Sequence, residues 1–562
     1  MMRVTRLLPF ALLLAAPLAA QRDTLGLRPA FRLIDQYAMQ MMQEAGTPGL
    51  ALALVDRRGL LTVRTYGWAD RERRIPVSAD TRFQIGSISK SFTAIALMQL
   101  RAEGRFDPML PAQRYLPWFT PKTQWRPVTG HDLMTHTSGL TRDRDDIPSS
   151  PAQAWKARER TMGSAPGARW DYSNIGWQVM GQILMKLDGG DYGEIIRRRI
   201  LTPLGMTHTD PTFSSATRLS MAKAYTTLYD DRPEHPGDPQ VEAPWIEYGS
   251  GDGALVSTAP DMARYLTMLL NRGATPTGRI LEETDWQRIS APHARTGDGP
   301  DDGTYGYGMF GGTLDGKPVF SHSGGMLGFT SMLLGEPRLG IGAVAFVNGP
   351  GSAGGVARFA VRALAAAMTG DSLPALPAPA NPVAVGNAAD YAGTFTSPAG
   401  DSLVFAASGD SLLLVHDGTV ALLTYGDDTF LGPRPAFARF PIAFHRDSTG
   451  AVTEVTVGGA WYRNACYHGP TRWTTPKLWD AYVGHYRIMQ PWEPNFRIIH
   501  RKGRLYWVSP GGAEEVLTLL PDGEYRVGDP LSAERIRFGP VVDGQVLQVT
   551  FSGMEYYRYF VE

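Results

Sequence analysis

Apolar and polar positions follow two rhythms along this chain, and the change from one to the other divides it. In "GLALALVDRRGLLTVRTYGWAD" (49–70) two apolar runs flank the polar turn "DRRG", which predicts a pair of strands. From Ser87 to Leu100 the positions are apolar almost all round, the mark of a helix buried inside a domain rather than lying on its surface. Gly104 offers that helix its stop. "STAPDMARYLTMLLNRG" (257–273) predicts a second helix, with Thr258 as N-cap, Asp261 three residues on and Gly273 at the end. "GKPVFSHSGGMLGFTSMLLGEPRLGIGAVAFVNG" (316–349) reads as successive strands with turns marked by glycine. Residues 25–370 thus read as one mixed α/β (α+β) domain.

A Pro- and Ala-rich stretch, 371–389, carries neither period and reads as a linker. Beyond it the helical rhythm is gone and an internal repeat begins. "YAGTF" starts at Tyr391 and "YVGHY" at Tyr482; "GAVTEVTVGGAWYRN" matches "GQVLQVTFSGMEYYR" near the end of each copy. Each copy holds about eight short alternating runs, the pattern of a small antiparallel barrel. Two all-β barrels are expected, at 390–470 and 478–562, with interiors filled by side chains rather than by ligand.

The chain is 562 residues long, too long for one hydrophobic core. Lys+Arg and Asp+Glu both number 55, so nothing in the balance supports a nucleic-acid or anionic-membrane partner. Arg3 and Arg6 precede the short apolar run "LLPFALLLAAPLAA", after which polarity returns. That is the layout of a secretory signal peptide over 1–20, and fourteen residues are too few for a mature membrane span. The mature protein is therefore expected to be exported, periplasmic or extracellular, with no span left after signal removal. Cys466 is the single cysteine, so no internal disulfide forms.

The candidate chemistry lies in "FQIGSISKSF" (83–92), where Lys90 stands one helical turn after Ser87. Ser87 follows the short strand "RFQIG" and opens the buried helix, so its own N–H sits at the positive end of the dipole, facing a developing oxyanion. Lys90 falls on the same helix face. Desolvation disfavours the charged form of a buried amine, which leaves a neutral base for a neighbouring hydroxyl. A Ser-x-x-Lys pattern alone is weak evidence, since ordinary residue usage yields roughly one or two in a chain of this length. "SMAK" (Ser220 to Lys223) is a second one, in a polar stretch without the strand-then-buried-helix context. Two further groups follow in order: Tyr172 and Asn174 in "RWDYSNIGW", read as a strand-to-helix turn, and His322, Ser323, Gly324 and Gly325 in "VFSHSGGML". His235, in the Pro/Asp-rich loop "DDRPEHPGDP", is a decoy for the last group. Neither a Gly-x-Ser-x-Gly elbow nor a His-Glu-x-x-His zinc motif occurs, so an α/β-hydrolase and a metal site are both unsupported and no cofactor is expected.

As an ordered set, "GSISK", "YSN" and "HSG" resemble the serine β-lactamase and penicillin-binding-protein superfamily in its class C-like branch, over about residues 30–365. That branch also holds D-aminopeptidases, D-alanyl-D-alanine carboxypeptidases and esterases, and the barrels resemble the lipocalin-like appendages of such peptidases. The resemblance implies a β-lactamase/transpeptidase-like catalytic domain in which Ser87 forms an acyl-enzyme and Lys90 takes its proton. It implies that Tyr172, its phenol held near Lys90, relays a proton to the leaving group. Asn174 would hydrogen-bond Lys90 and the substrate, and the N–H groups of Ser87 and Gly325 would form the oxyanion hole. His322, with Ser323 and Gly324, would border the substrate pocket where many members carry lysine. "HDLMTHTSGL" (131–140) and "GDGALVSTAPDMARY" (251–265) are further similar stretches, read here as structural, including His131 and His136.

The leading expectation is a secreted serine hydrolase acting on a small-molecule or peptide substrate through an amide or ester, in the manner of a D-amino-acid-specific peptidase or an esterase. The alternatives are a non-catalytic sensor of the penicillin-binding type, and a β-lactamase or a thioesterase of the same fold.

Overall fold

The computed structural model describes residues 25–142, 147–297, 303–415 and 418–559. The run expected to be a signal peptide lies outside these residues. Helix α1 (Arg28–Ala45) leads into β1 (Gly49–Asp56) and β2 (Gly59–Asp70). Much later come β3 (Phe310–Leu314), β4 (Lys317–Met326), β5 (Phe329–Glu336) and β6 (Ile341–Val347). They form one antiparallel sheet in the order β3-β4-β5-β6-β1-β2, extended at both edges by two-residue strands.

β1 explains why its run is apolar at every position. It lies mid-sheet with both faces covered: Leu50, Leu52 and Leu54 pack with α1 and the helix Ala353–Thr369, while Ala51, Ala53 and Val55 face the opposite core. Truncating Leu52 to Ala would cost roughly 2–5 kcal/mol, as for a fully buried leucine. The second core holds helix α2 (Ser89–Ala102), buried along nearly its whole length, with α3 (Asn174–Asp188) and α4 (Ala259–Leu270). As expected, Thr258 caps α4 by accepting the Asp261 N–H.

Past Thr369 no helix or strand occurs until the short turn Ala388–Tyr391, and the intervening chain runs beside α1, where Gln40 donates to the Pro377 carbonyl. The first β unit curls nine strands between Gly393 and Arg463 into a nearly closed sheet, whose two edge strands, Thr419–Ala421 and Leu423–Gly426, are consecutive in the chain. The second closes an eight-stranded barrel between Gly484 and Arg558. Both interiors are packed with aromatic and aliphatic side chains.

The loop that carries the decoy His235 grips both barrels. Asp238 pairs with Arg434 and His235 sits against the Gly432 carbonyl, both in the first barrel. Asp230 and Asp231 take Arg487 and Arg497 of the second. That barrel also reaches the catalytic domain directly: Glu534 accepts the Arg142 N–H, and Asp529 pairs with Arg169. Among the described residues, no helix is long and apolar enough to cross a membrane and no His/Cys/Asp/Glu group is arranged to hold a metal ion.

Candidate functional site

Two glycines let the nucleophile turn meet the sheet. Gly86 has φ of +51°, in the left-handed region, and a Cβ there would lie 2.8 Å from the main chain of Gly325. A Cβ on Gly324 would lie 1.9 Å from the Ile85 carbonyl. Only bare backbone fits at either place, so the main chain of Gly325 is pressed against the turn that opens at Gly86 and carries Ser87. This is the arrangement that an oxyanion hole built from the two N–H groups requires.

Lys90 is completely buried on the first turn of α2, with three oxygens around Nζ. They are Ser87 Oγ at 2.9 Å, Asn174 Oδ1 at 2.7 Å and the Asp252 carbonyl at 2.8 Å. The last two can only accept. A neutral amine has two N–H groups and one lone pair. Ser87 Oγ is the one of the three that can also donate. An amine that has given up a proton keeps its two N–H groups on Asn174 and Asp252 and turns its lone pair to that hydroxyl, and the arrangement can then take up the hydroxyl's proton.

Asn174 is held at the start of α3 by its own N–H, which donates to the Arg142 carbonyl. Ser173 caps the helix, accepting the Gly176 N–H. Extended backbone without a strand precedes it, so the expected strand-to-helix turn is in fact a loop-to-helix entry. Asp252 was not anticipated as part of the site. Its contact is a main-chain carbonyl, brought in because Gly181 and Gly251 let the 250–253 segment lie directly on α3, where any Cβ would strike backbone. Thr93 Oγ1, from α2, donates to the Gly251 carbonyl and ties down the same segment.

Tyr172 turns its ring face to Lys90, with Nζ 4.9 Å from the ring centroid, so the contact is to the π-face and not a hydrogen bond to the phenol. His136 stacks on the same ring at 4.1 Å. His136, expected to be structural, is therefore part of the wall of the site.

His322 lies near Tyr172, with the ring centroids 6.5 Å apart. It is buried, with Nδ1 2.6 Å from the Ser323 carbonyl and Nε2 2.9 Å from the Tyr305 hydroxyl. The carbonyl can only accept, so Nδ1 carries the proton and Nε2 accepts from Tyr305. Burial, and then the charge of Lys90, push its pKa down to about 3. His322 is thus a buried, neutral residue on the side of the site that holds Tyr172 and Lys90. Alternation along β4 is the reason: Ser323 and Gly325 are exposed while His322 and Gly324 point into the protein.

The second Ser-x-x-Lys is not assembled. Ser220 Oγ donates to the Thr217 carbonyl and accepts from Arg82, while Lys223 points to Glu242, Asp70 and Glu72.

With this geometry in place, similarity to known proteins gives it a setting. A family model described as Beta-lactamase matches residues 34–367. An uncharacterized protein of Mycobacterium tuberculosis (strain CDC 1551) is 30% identical over 277 residues, 44% of this chain and 68% of that protein. The putative penicillin-binding protein PbpX of Bacillus subtilis (strain 168) is 27% identical over 286 residues, covering 49% of this chain and 65% of PbpX. Among solved structures, an octameric penicillin-binding protein homologue from Pyrococcus abyssi superposes with a TM-score of 0.57 at 21% identity, over 77% of this chain and 100% of that one. This likeness is one of fold, and the fold is a β-lactamase-like domain followed by two all-β barrels. With more than half of its length matched by the family model, the chain belongs to the Beta-lactamase family of serine hydrolases.

Proposed function

We propose that the protein is an exported hydrolase that cleaves an amide or ester through an acyl-enzyme on Ser87. The observation that carries this reading is the set of oxygens around Lys90 Nζ, among which Ser87 Oγ alone can also donate a proton to the amine. Ser87 Oγ attacks the substrate carbonyl carbon as its proton passes to Lys90. The new oxyanion is met by the N–H groups of Ser87 and Gly325. Tyr172 passes its phenol proton to the leaving amine or alcohol as the carbon–heteroatom bond breaks, and takes back in its place the proton that Lys90 received from Ser87. Water then repeats the sequence on the acyl-Ser87 ester, releasing the acid and returning the proton to Ser87.

The substrate reading rests on His322. A lysine there would offer a fixed charge to a substrate carboxylate, whereas a buried neutral imidazole offers none. Substrates without a carboxylate at that end are favoured, such as amides, esters and peptides with a free amino end. Export rests on the apolar run near the N-terminus.

The test is kcat/KM for the purified protein across D-amino-acid amides, D-Ala-D-Ala peptides, short esters and a chromogenic cephalosporin, each with Ser87→Ala alongside. Turnover of an amide or ester that falls at least about 10³-fold in Ser87→Ala supports the reading. Rapid cephalosporin hydrolysis by the wild type contradicts the substrate class. Undiminished turnover in Ser87→Ala contradicts the mechanism.

A further inference from the structure

His136 carries two penalties at once. Its φ is +59°, a left-handed backbone that a non-glycine residue adopts only when its surroundings force it. Its Nε2 is buried without a hydrogen-bond partner among the described residues. Nδ1 accepts the Ser173 N–H at 2.9 Å, so in the neutral ring the proton sits on that orphaned Nε2. An apolar residue here would remove the orphaned N–H but keep the left-handed backbone and leave the Ser173 N–H without its acceptor.

What His136 does in this position is hold one residue from three sides. Its main-chain carbonyl accepts the Asp171 N–H at 2.8 Å. Its Nδ1 accepts the Ser173 N–H, and between these two anchors its ring stacks on Tyr172 at 4.1 Å and 26°. Tyr305 closes the other side of the imidazole at 4.8 Å and also holds His322.

Resting on the reading of Tyr172 given above, we propose that His136 is the positioning residue for Tyr172, setting the phenol where it delivers a proton to the leaving group. Burial, reinforced by Lys90 and His322, keeps the imidazole pKa well below its usual value, so Nδ1 stays an acceptor at neutral pH. Protonation there would put an N–H against the Ser173 N–H and release the anchor.

A positioning role of this kind depends on the leaving group, and a merely structural role does not. A p-nitrophenolate leaves without protonation, whereas an alkoxide or amine needs a proton. The experiment compares kcat/KM for an alkyl ester and a p-nitrophenyl ester of the same acyl group. Both are measured in the wild type, His136→Asn, Tyr172→Phe and the double variant. Asn keeps a side-chain acceptor and tolerates the left-handed backbone, but lacks the stacking ring. His136→Phe, which keeps a ring and loses the acceptor, is the second variant, and thermal melts report folding.

The expected result is an alkyl-ester loss about tenfold or more greater than the p-nitrophenyl-ester loss in each single variant. The double variant should be little worse than Tyr172→Phe alone. Equal losses on both esters in the His136 variants, with Tyr172→Phe still discriminating, would overturn the positioning role. So would additive losses, or failure of both His136 variants to fold. If Tyr172→Phe does not discriminate, the fault lies instead with the proton-relay reading of Tyr172.

Discussion

Ser87 and Lys90 share a spacing with Ser220 and Lys223, and the two pairs share little else. Around the buried Nζ of Lys90 stand three uncharged oxygens. Around Lys223 stand three carboxylates on a partly open surface, and the hydrogen bond to Glu242 holds its ammonium above the usual lysine range. A cation so held has no lone pair for a hydroxyl. Ser220 hydrogen-bonds to Thr217 and Arg82 instead of its lysine. The lesson is that Ser-x-x-Lys becomes chemistry only where the neighbours of the amine are acceptors without charge.

The largest effect should come from breaking the first pair. Lys90→Ala should lower kcat at least about 10³-fold, almost as Ser87→Ala does, and the double variant should be little worse than either. Lys223→Ala should leave kcat within about twofold and cost at most about 1 kcal/mol of stability, as a partly exposed ion pair does. Steady-state kinetics and a urea melt on each variant check this.

A finer change converts one environment into the other. Asn174→Asp places a carboxylate on Lys90, as Glu242 is placed on Lys223. It favours the charged amine, so kcat at neutral pH should fall about 10²-fold. The rise of the pH–rate profile should move to higher pH, because more alkali is needed to free the lone pair. An unmoved profile would separate Asn174 from the state of Lys90.

A further effect concerns stability rather than rate. His322 has its folded pKa pushed down to about 3, below an unfolded value of about 6.5. Its contribution is therefore complete above about pH 6.5 and is lost as the pH falls toward 3, amounting to as much as about 5 kcal/mol when fully expressed. His322→Gln, which cannot take up a proton, should lower stability at pH 7.5 yet flatten its decline between pH 6.5 and 4. Thermal melts across that range read the difference in slope.

What could be read from residue types alone was the side-chain chemistry. Ser87, Lys90 and Asn174 stand together in space, and a helix apolar all round did signal burial. The repeat likewise signalled two β units. Contacts made by main chain left no such mark. The Asp252 carbonyl has no side-chain signature, although the flanking glycines of "GDG" hinted at a close approach of backbone. His136 stands five residues from His131, off a shared helix face, and its left-handed backbone places it in a turn, a position that residue spacing alone does not signal. The burial of His322 was legible from strand alternation: with Ser323 and Gly325 on the exposed face, His322 and Gly324 take the buried one. The docking role of the 230–238 loop was hidden, because its partners Arg434, Arg487 and Arg497 lie some two hundred residues downstream.

Covalent labelling tests the central claim most directly. The wild-type protein is treated with a fluorophosphonate probe, digested and mapped by mass spectrometry, with Ser87→Ala and Ser220→Ala treated in parallel. The predicted result is a single modified residue, Ser87, in the peptide containing "GSISK", with the label lost in Ser87→Ala and unchanged in Ser220→Ala. Label on Ser220, or label that persists undiminished in Ser87→Ala, would contradict the account.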